Sequence, residues 1–389
     1  MEDHITTNVV RELTDDLYVQ DEILAYAKNK FVCNDIGSSA DFKRELDDEY
    51  FVKSWYGYLE ETKAIGVFET LKKHLVQLRF PISENISKND SYRAATLRGK
   101  DTSHIPEAKG LMLRNPEGLV LQIYPSIGGN IPVLIVDDSE DFKSLIQAFC
   151  YRNEPVKIPE SMGAVMINGL NNWSKIEVLK NEFLASNSSS DWPSYFKNQL
   201  IPNKSLYQDK MIVLAKKPYS NVSAEVIGMN QKDWIQHSLT IRLEHECAHY
   251  FTLRHYGTMA NNMHDELIAD YAGICASYGR YNAEWFLKFI GLEAYPNYRK
   301  GARLENYLGS PKLSERAFEV LKTIIYKAVR NIHTFDSKIY HQTDHLHRRV
   351  ALKTLCSFSI VEMAQDDGAD KLYLKFNTLK NTKNFLDIA

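Results

Sequence analysis

The chain has 389 residues, with 47 lysines and arginines against 50 aspartates and glutamates, which gives a formal charge of −3. Hydrophobic residues make up 44% and charged residues 25%, as in ordinary globular proteins. This balance excludes a disordered chain, a collagen-like fibre and a disulfide-rich miniprotein. The near-neutral charge gives no electrostatic reason to expect binding to nucleic acid or to an anionic membrane.

The cysteines indicate a reducing compartment. They are odd in number and form no CxxC pair, which is typical of small packing residues rather than of disulfides or a thiolate metal site. The five are Cys33, Cys150, Cys247, Cys275 and Cys356. The N-terminus has no basic segment followed by an apolar one, and no apolar run approaches the roughly 18 residues that span a bilayer. We therefore expect a cytoplasmic protein that does not enter a membrane.

The chain order predicts three consecutive regions. Residues 1–85 form an N-terminal helical region, in which the charged and aromatic stretch 39–80 has the spacing of about two amphipathic helices. Residues 86–225 form a region with a sheet, and residues 226–389 form a helical region. The polar stretch 81–106 is interpreted as a connection.

Short apolar runs predict the strands of the middle region. Turn residues separate the first three runs, as in an antiparallel meander. Predicted strands cover residues 110–114, 119–124, 133–136, 163–168 and 210–215, and a predicted helix covers 140–151. The expected fold class is therefore α+β, with a small and mostly antiparallel sheet packed against the helical C-terminal half.

One segment of the helical region carries the pattern of a metal site. His245, Glu246 and His249 form an HExxH motif. Residues four apart on a helix lie on one face, so the two imidazoles can bind a single ion. Glu246 is turned by about 100° from His245, close enough to reach a water molecule on that ion without binding the metal.

The surroundings of the motif predict a helix that walls a cleft. Asn230 is the predicted N-cap and Gly257 the predicted C-terminal residue. A polar stripe runs along this helix opposite an apolar side. The stripe comprises Ser238, Arg242, His245, His249 and Thr252, and the apolar side comprises Leu239, Leu243, Cys247, Tyr250 and Phe251.

A second segment supplies carboxylates at the start of another predicted helix. Glu266, Asp270 and Gly273 share one face of it. A carboxylate there can complete a site of two histidines and one glutamate, and Asp270 can accept the free N–H of a ligating histidine. Gly273 would let two helix backbones approach closely. His264 and Asp265 are rival third ligands, and Glu266 is favoured because it alone brings Asp270 at the expected spacing.

These residues resemble the gluzincin branch of zinc metallopeptidases, in which HExxH is followed by ExxxD and of which thermolysin is a member. The resemblance covers about residues 234–280. It implies a zincin-like fold and one Zn²⁺ held by His245, His249 and Glu266. It also implies Glu246 as general base and Asp270 as the partner of a ligating histidine. In such folds an extended substrate lies along an edge strand, for which residues 163–168 are the candidate. A core strand without a role in substrate binding is the alternative interpretation of these residues.

Hydrolysis also needs a donor for the oxyanion that forms on the substrate. The only other histidine-rich stretch supplies the candidates Tyr340, His341, His345 and His347. They can act only if the C-terminal helices fold over the cleft. A polar loop with no role at the site is the alternative interpretation.

The sequence therefore predicts a zinc-dependent hydrolase, and it favours a metallopeptidase that acts on a peptide or protein substrate. A zinc amidase or esterase acting on a small molecule would use the same water and base. A non-catalytic protein with a structural zinc would need a fourth protein ligand, such as His264 or a C-terminal histidine. A latent enzyme, with the N-terminal region plugging the cleft, is a further alternative.

Overall fold

The computed structural model describes residues 2–33, 45–186, 191–259, 262–339 and 344–382. Helices dominate these residues. They are α1 (Glu2–Leu13), α2 (Leu17–Tyr26), α3 (Lys30–Cys33), α4 (Val52–Ile65), α5 (Val67–His74), α6 (Asp90–Arg98), α7 (Ser139–Cys150), α8 (Trp173–Ser186), α9 (Trp192–Tyr195), α10 (Ala224–Ile227), α11 (Gln231–Tyr256), α12 (Met263–Tyr278), α13 (Ala283–Ile290), α14 (Glu315–Lys338), α15 (His345–Cys356), α16 (Ile360–Met363) and α17 (Gly368–Asn381). Within the described ranges, no helix is both long enough and apolar enough to cross a bilayer.

Four strands form one sheet, which confirms the α+β fold class. They are β1 (Val120–Ser126), β2 (Gly129–Val136), β3 (Ala164–Asn171) and β4 (Gln208–Ala215). Their order is β1-β2-β4-β3. Strand β4 is parallel to β2 and antiparallel to β3, so the sheet is mixed. The predicted strand 163–168 corresponds to β3, which lies at an edge as expected.

Two sequence predictions in this region were wrong. Residues 110–114 are not a strand, because their backbone groups are paired elsewhere. The Gly110 N–H donates to the Arg79 carbonyl, and the Asp141 carboxylate accepts the N–H groups of Arg114 and Asn115 at 2.7 Å each. The polar stretch 81–106 is not only a connection, since α6 lies within it. Its N-cap Asn89 accepts the Tyr92 N–H at 3.0 Å.

The chain forms two compact units. The first comprises Met1–Leu46, Ser126–Gly128 and Lys217–Ala389, and the second comprises Asp47–Pro125 and Gly129–Lys216. The chain thus leaves the first unit and later returns to it, whereas the sequence predicted three consecutive regions. Each unit has its own hydrophobic core.

The core of the second unit lies where its sheet packs against helices. Leu134 of β2 and Val213 of β4 are fully buried, as is Trp55 of α4. The ladder pairs Val133 of β2 with Ile212 of β4. Alternate residues of a strand point to opposite faces, so the fully apolar run of β2 is typical of a strand covered on both sides.

In the first unit, α11 and α12 form a helical hairpin. Asn230 caps α11 by accepting the Asp233 N–H at 3.0 Å, and Gly257 ends the helix with φ of 64°. Both boundaries confirm the sequence prediction. Asn262 caps α12 by accepting the Asp265 N–H at 3.0 Å. The two caps and the left-handed Gly257 therefore set where each helix begins and where the chain reverses.

The polar stripe predicted on α11 is buried rather than open to a cleft. Ser238 and Arg242 are 0% and 2% exposed. Their polar groups bind the segment before the helix. The Ser238 hydroxyl accepts the Tyr219 N–H at 2.9 Å, and Arg242 donates to the carbonyls of Lys217 and Pro218. Ser238 and Arg242 therefore have hydrogen-bond partners inside the protein, as buried polar groups must.

Gly273 lies where the backbones of α11 and α12 approach closely, as the sequence predicted. A Cβ atom there would lie 2.6 Å from the carbonyl oxygen of Ile241. That neighbour is backbone, so it cannot rotate away as a side chain could. A larger residue at this position must therefore move one helix relative to the other.

We expect Gly273→Ala to lower the free energy of unfolding by about 1–3 kcal/mol, because the added methyl group overpacks this contact. Urea unfolding followed by circular dichroism measures the change. The control is Gly57→Ala in α4, where an added Cβ meets nothing within 4 Å. The control should leave stability unchanged or raise it by up to about 1 kcal/mol through helix propensity. An equal response of the two variants would contradict the close contact.

Candidate metal centre

The helical hairpin brings together the three residues that the sequence proposed as metal ligands. His245 and His249 lie one turn apart on α11, and Glu266 lies in the first turn of α12. One donor atom from each lies within 4.8 Å of the other two, and all three side chains are buried. No other described histidine, cysteine, aspartate or glutamate joins this group.

The distances between the donors are those of a small coordination shell. The Nε2 atoms of His245 and His249 are 3.1 Å apart. Each lies 3.5 Å from an oxygen of the Glu266 carboxylate. Ligands at 2.0–2.2 Å from a tetrahedral ion are separated by about 3.3–3.5 Å. The three residues therefore fit a single tetrahedral ion with little rearrangement.

Asp270 orients the first of these histidines. Its Oδ1 lies 2.8 Å from Nδ1 of His245, and the aspartate is fully buried. A proton on Nδ1 would be donated to this carboxylate, which leaves the lone pair of Nε2 directed at the other two donors. This is the arrangement by which carboxylates hold ligating histidines in one tautomer. The sequence predicted this contact from the spacing of Glu266 and Asp270.

Two further residues support Asp270, and sequence reasoning missed both. Tyr219 donates its hydroxyl proton to Oδ1 of Asp270 at 2.5 Å and accepts a hydrogen bond from Arg303 at 2.8 Å. Arg303 also forms an ion pair with Oδ2 of Asp270. In the sequence, Tyr219 precedes the aspartate by 51 residues and Arg303 follows it by 33. Each begins a short 3₁₀ helix without a motif, so no spacing rule could have identified them.

Within the cluster, the neighbouring charges favour an ion pair between a protonated His249 and an ionised Glu266. Burial disfavours the charged form of the His249 ring, but the carboxylate of Glu266 outweighs this effect and raises the pKa of His249 to about 9. Burial would also raise the pKa of Glu266, but the two histidines and Arg303 lower it to about 2. Burial raises the pKa of Tyr307, and the charge of this carboxylate raises it further. Without metal, a proton on His249 thus takes the place of a cation between the donors.

Glu246 lies beside the cluster without belonging to it. It is 8% exposed, and its charge contributes to the raised pKa of His249. Burial lowers the pKa of Arg242 to about 10, and the charge of Glu246 acts against that shift. The carboxylate therefore lies near the ligands but is not among the donors, which agrees with its predicted place on the helix.

The rival third ligands do not join the cluster. His264 is buried, with its ring centroid 5.4 Å from that of Phe31, and its Nε2 has no hydrogen-bond partner among the described residues. Burial lowers its pKa to about 4. Asp265 occupies the capped first turn of α12, and its charge contributes to the raised pKa of His249, but it is not among the clustered donors.

The C-terminal candidates for an oxyanion donor fall outside the cluster or outside the described residues. Tyr340 and His341 lie in the part of the chain that the structure does not describe. His345 begins α15, and burial lowers its pKa together with the nearby arginines. His347 is buried, and its ring packs edge-on against Phe376 at 5.3 Å. Neither described histidine is among the clustered donors.

The fold and the site define an α+β protein with a buried cluster of two histidines and one glutamate on a helical hairpin. The chain belongs to DUF7005, a family of unknown function, whose sequence profile matches residues 8–367. The match covers most of the chain, including both helices of the hairpin. No curated protein and no solved structure matches the chain.

The ion pair between His249 and Glu266 predicts how metal uptake depends on pH. A divalent metal must displace the proton from His249, whose pKa of about 9 in the metal-free protein exceeds its usual value of 6.5. Between pH 7 and 9 we expect affinity to rise by up to about tenfold per pH unit and about one proton to be released. Calorimetry in buffers of different ionisation enthalpy measures this release. Uptake without proton release would contradict the protonated pair.

Proposed function

We propose that this protein is a zinc-dependent hydrolase with a gluzincin-like site on a zincin-like fold, and that it cleaves peptide bonds. The observation that supports this proposal best is the convergence of His245, His249 and Glu266, with Asp270 directly behind His245. This donor set of two imidazoles and one carboxylate is the set of zinc peptidases with an open ligand position.

The number of protein donors supports a catalytic site rather than a structural one. Structural zinc sites have four protein ligands, and catalytic sites have three, leaving room for water or substrate. Only three histidine, cysteine, aspartate or glutamate donors meet among the described residues. His264, the fourth ligand that a structural zinc site would need, is not among these donors.

The residues would divide the chemistry as follows. A zinc ion at the cluster supplies Lewis acidity, which acidifies a water molecule and polarises the substrate carbonyl. Glu246 accepts the proton from the attacking water on its carboxylate and passes it to the leaving amine nitrogen. Asp270 keeps the His245 ring in the orientation that directs Nε2 to the cluster, while Tyr219 and Arg303 hold Asp270.

The burial of the site favours a second candidate, an amidase that acts on a small molecule. His245, Glu246 and Glu266 are only 7%, 8% and 6% exposed. A small amide needs less open space than an extended peptide does. Digestion of a peptide library, beside a panel of N-acyl amino acids and small amides, distinguishes the two substrate classes.

We also propose a cytoplasmic location. Its support is that the four cysteines whose side chains the structure describes, Cys150, Cys247, Cys275 and Cys356, are free.

We expect the purified protein to hold about one zinc ion per chain, measured by elemental analysis. Glu246→Gln should keep that zinc and lose activity by about 10²–10⁴-fold, because it removes only the general base. Glu266→Gln should lose zinc as well as activity. The matched control is Glu225→Gln, an exposed position in α10.

Three results would overturn the proposal. One is purified protein without stoichiometric metal at neutral pH. Another is iron in place of zinc, since two histidines and one carboxylate also bind iron in oxygenases. The third is a Glu246→Gln variant with the activity of the unchanged protein.

A further inference from the structure

The second unit contains a cavity of about 520 Å³ that none of the metal-centre residues lines. Its volume lies in the range of small-molecule sites, roughly 300–1,000 Å³. Two kinds of side chain dominate its wall. The aromatic ones are Trp173, Trp192 and Phe196, and the exposed basic ones are Arg98, Lys100 and Lys180.

The aromatic side chains present ring faces rather than polar groups. The indole N–H of Trp173 is already used, since it donates to the Thr96 carbonyl at 2.8 Å. The ring of Phe196 lies 6.4 Å from that of Trp173 and 5.8 Å from that of Trp192. Three adjacent rings with no free donor on Trp173 form a surface on which a planar group can stack.

The basic side chains lie next to this aromatic surface. Helix α6 ends at Arg98, and Gly99 follows in the left-handed conformation with φ of 66°. The Trp173 ring packs directly onto the backbone at Gly99, which places Arg98 and Lys100 on either side of the contact. Among the described residues, none pairs with Arg98, Lys100 or Lys180.

Among the described residues, the carboxylates in the same wall form no ion pair with these cations. They are Asp101 and Glu177. Asp101 is hydrogen-bonded to Ser103, and that contact lowers the pKa of its carboxyl. Arg79 also lines the cavity, and its guanidinium is used by the Lys72 and Lys73 carbonyls and by Thr102. The three exposed cations are therefore left to attract an anion from solution.

The half-buried His74 also lines the cavity. The ring of His74 stacks on Tyr58 at 3.8 Å, and its Nε2 lies 2.6 Å from the Glu61 carboxylate. Its Nδ1 is buried and has no hydrogen-bond partner among the described residues. With the ring proton on Nε2, Nδ1 is an acceptor, and a buried acceptor without a partner costs free energy.

We propose that this cavity binds a small ligand that carries a planar ring and a phosphate or carboxylate group. The ring stacks on the surface formed by Trp173, Trp192 and Phe196. The anionic group lies against Arg98 and Lys100. The inference does not depend on the metal centre, because the two sets of residues have no member in common.

Calorimetric titration of the full-length protein tests the ligand class. The probes are adenosine 5′-monophosphate and indole-3-acetate, which join a ring to a phosphate and to a carboxylate. Adenosine and inorganic phosphate serve as the separate parts. We expect at least one joined probe to saturate and to bind about tenfold or more tightly than its parts, with affinity that falls as salt rises. If neither joined probe saturates at millimolar concentration, the proposal is wrong.

Substitutions in the cavity wall then distinguish the contact with the anionic group from the contact with the ring. The double variant Arg98→Ala/Lys100→Ala should weaken the joined probe by about tenfold and leave adenosine unaffected. Trp192→Ala should weaken both, and Trp192→Phe should restore stacking. The control is Arg93→Ala, an exposed position of the same helix that does not line the cavity. If the double variant and the control bind the probe equally, the cavity is not the site.

Discussion

The contact between α11 and α12 at Gly273 is the constraint on which the metal centre depends. The histidines belong to one helix and the carboxylates to the other, so their distances are set by how closely the two helices pack. A glycine opposite the Ile241 carbonyl permits a separation that any Cβ would prevent. At that separation Glu266 reaches both imidazoles, while Asp270, one turn later, reaches the far side of the His245 ring. The packing of the two helices therefore determines the distances between the candidate ligands.

The buried charges at the site form two pairs of opposite charge. The inner pair is Glu266 and His249, and the outer pair is Asp270 and Arg303. Burying a charge is costly unless an opposite charge or several hydrogen bonds accompany it. Glu266 is matched by the protonated His249, and Asp270 is matched by Arg303 with Tyr219 between them. At the proposed site a metal ion would replace the proton of the inner pair, Glu266 and His249, whereas the outer pair, Asp270 and Arg303, would be unchanged. This permanent outer pair allows the inner donors to change charge without leaving Asp270 uncompensated.

The parts of the site with a repeating pattern could be predicted from the sequence. His245, Glu246 and His249 are fixed by helical spacing, Glu266 and Asp270 by the same rule on the next helix, and Asn230 and Gly257 by cap chemistry. Tyr219 and Arg303 could not be found, because they reach Asp270 from short 3₁₀ helices that are distant in the sequence and carry no motif.

Contacts distant in the sequence also explain the error at residues 110–114. That apolar run resembles a strand, but the Asp141 carboxylate and the carbonyls of Leu78 and Arg79 accept its backbone N–H groups. The parallel pairing of β2 with β4 likewise depends on tertiary contacts that local periodicity does not encode.

Helix α2, near the N-terminus, contacts the helix that carries Glu266 and Asp270, although the two are distant in the sequence. Tyr26 of α2 accepts the Met263 N–H at 3.0 Å and donates to the Tyr307 carbonyl at 2.7 Å, so it satisfies a free amide at the start of the ligand-bearing α12. Val19, Ile23 and Ala27 are buried in the same core as that helix. During synthesis the whole of the second unit is made before α11. The partners of α2 are made more than two hundred residues after α2 itself. The N-terminal segment can therefore complete the hydrophobic core of the first unit only after the helices that carry the candidate ligands have been synthesised.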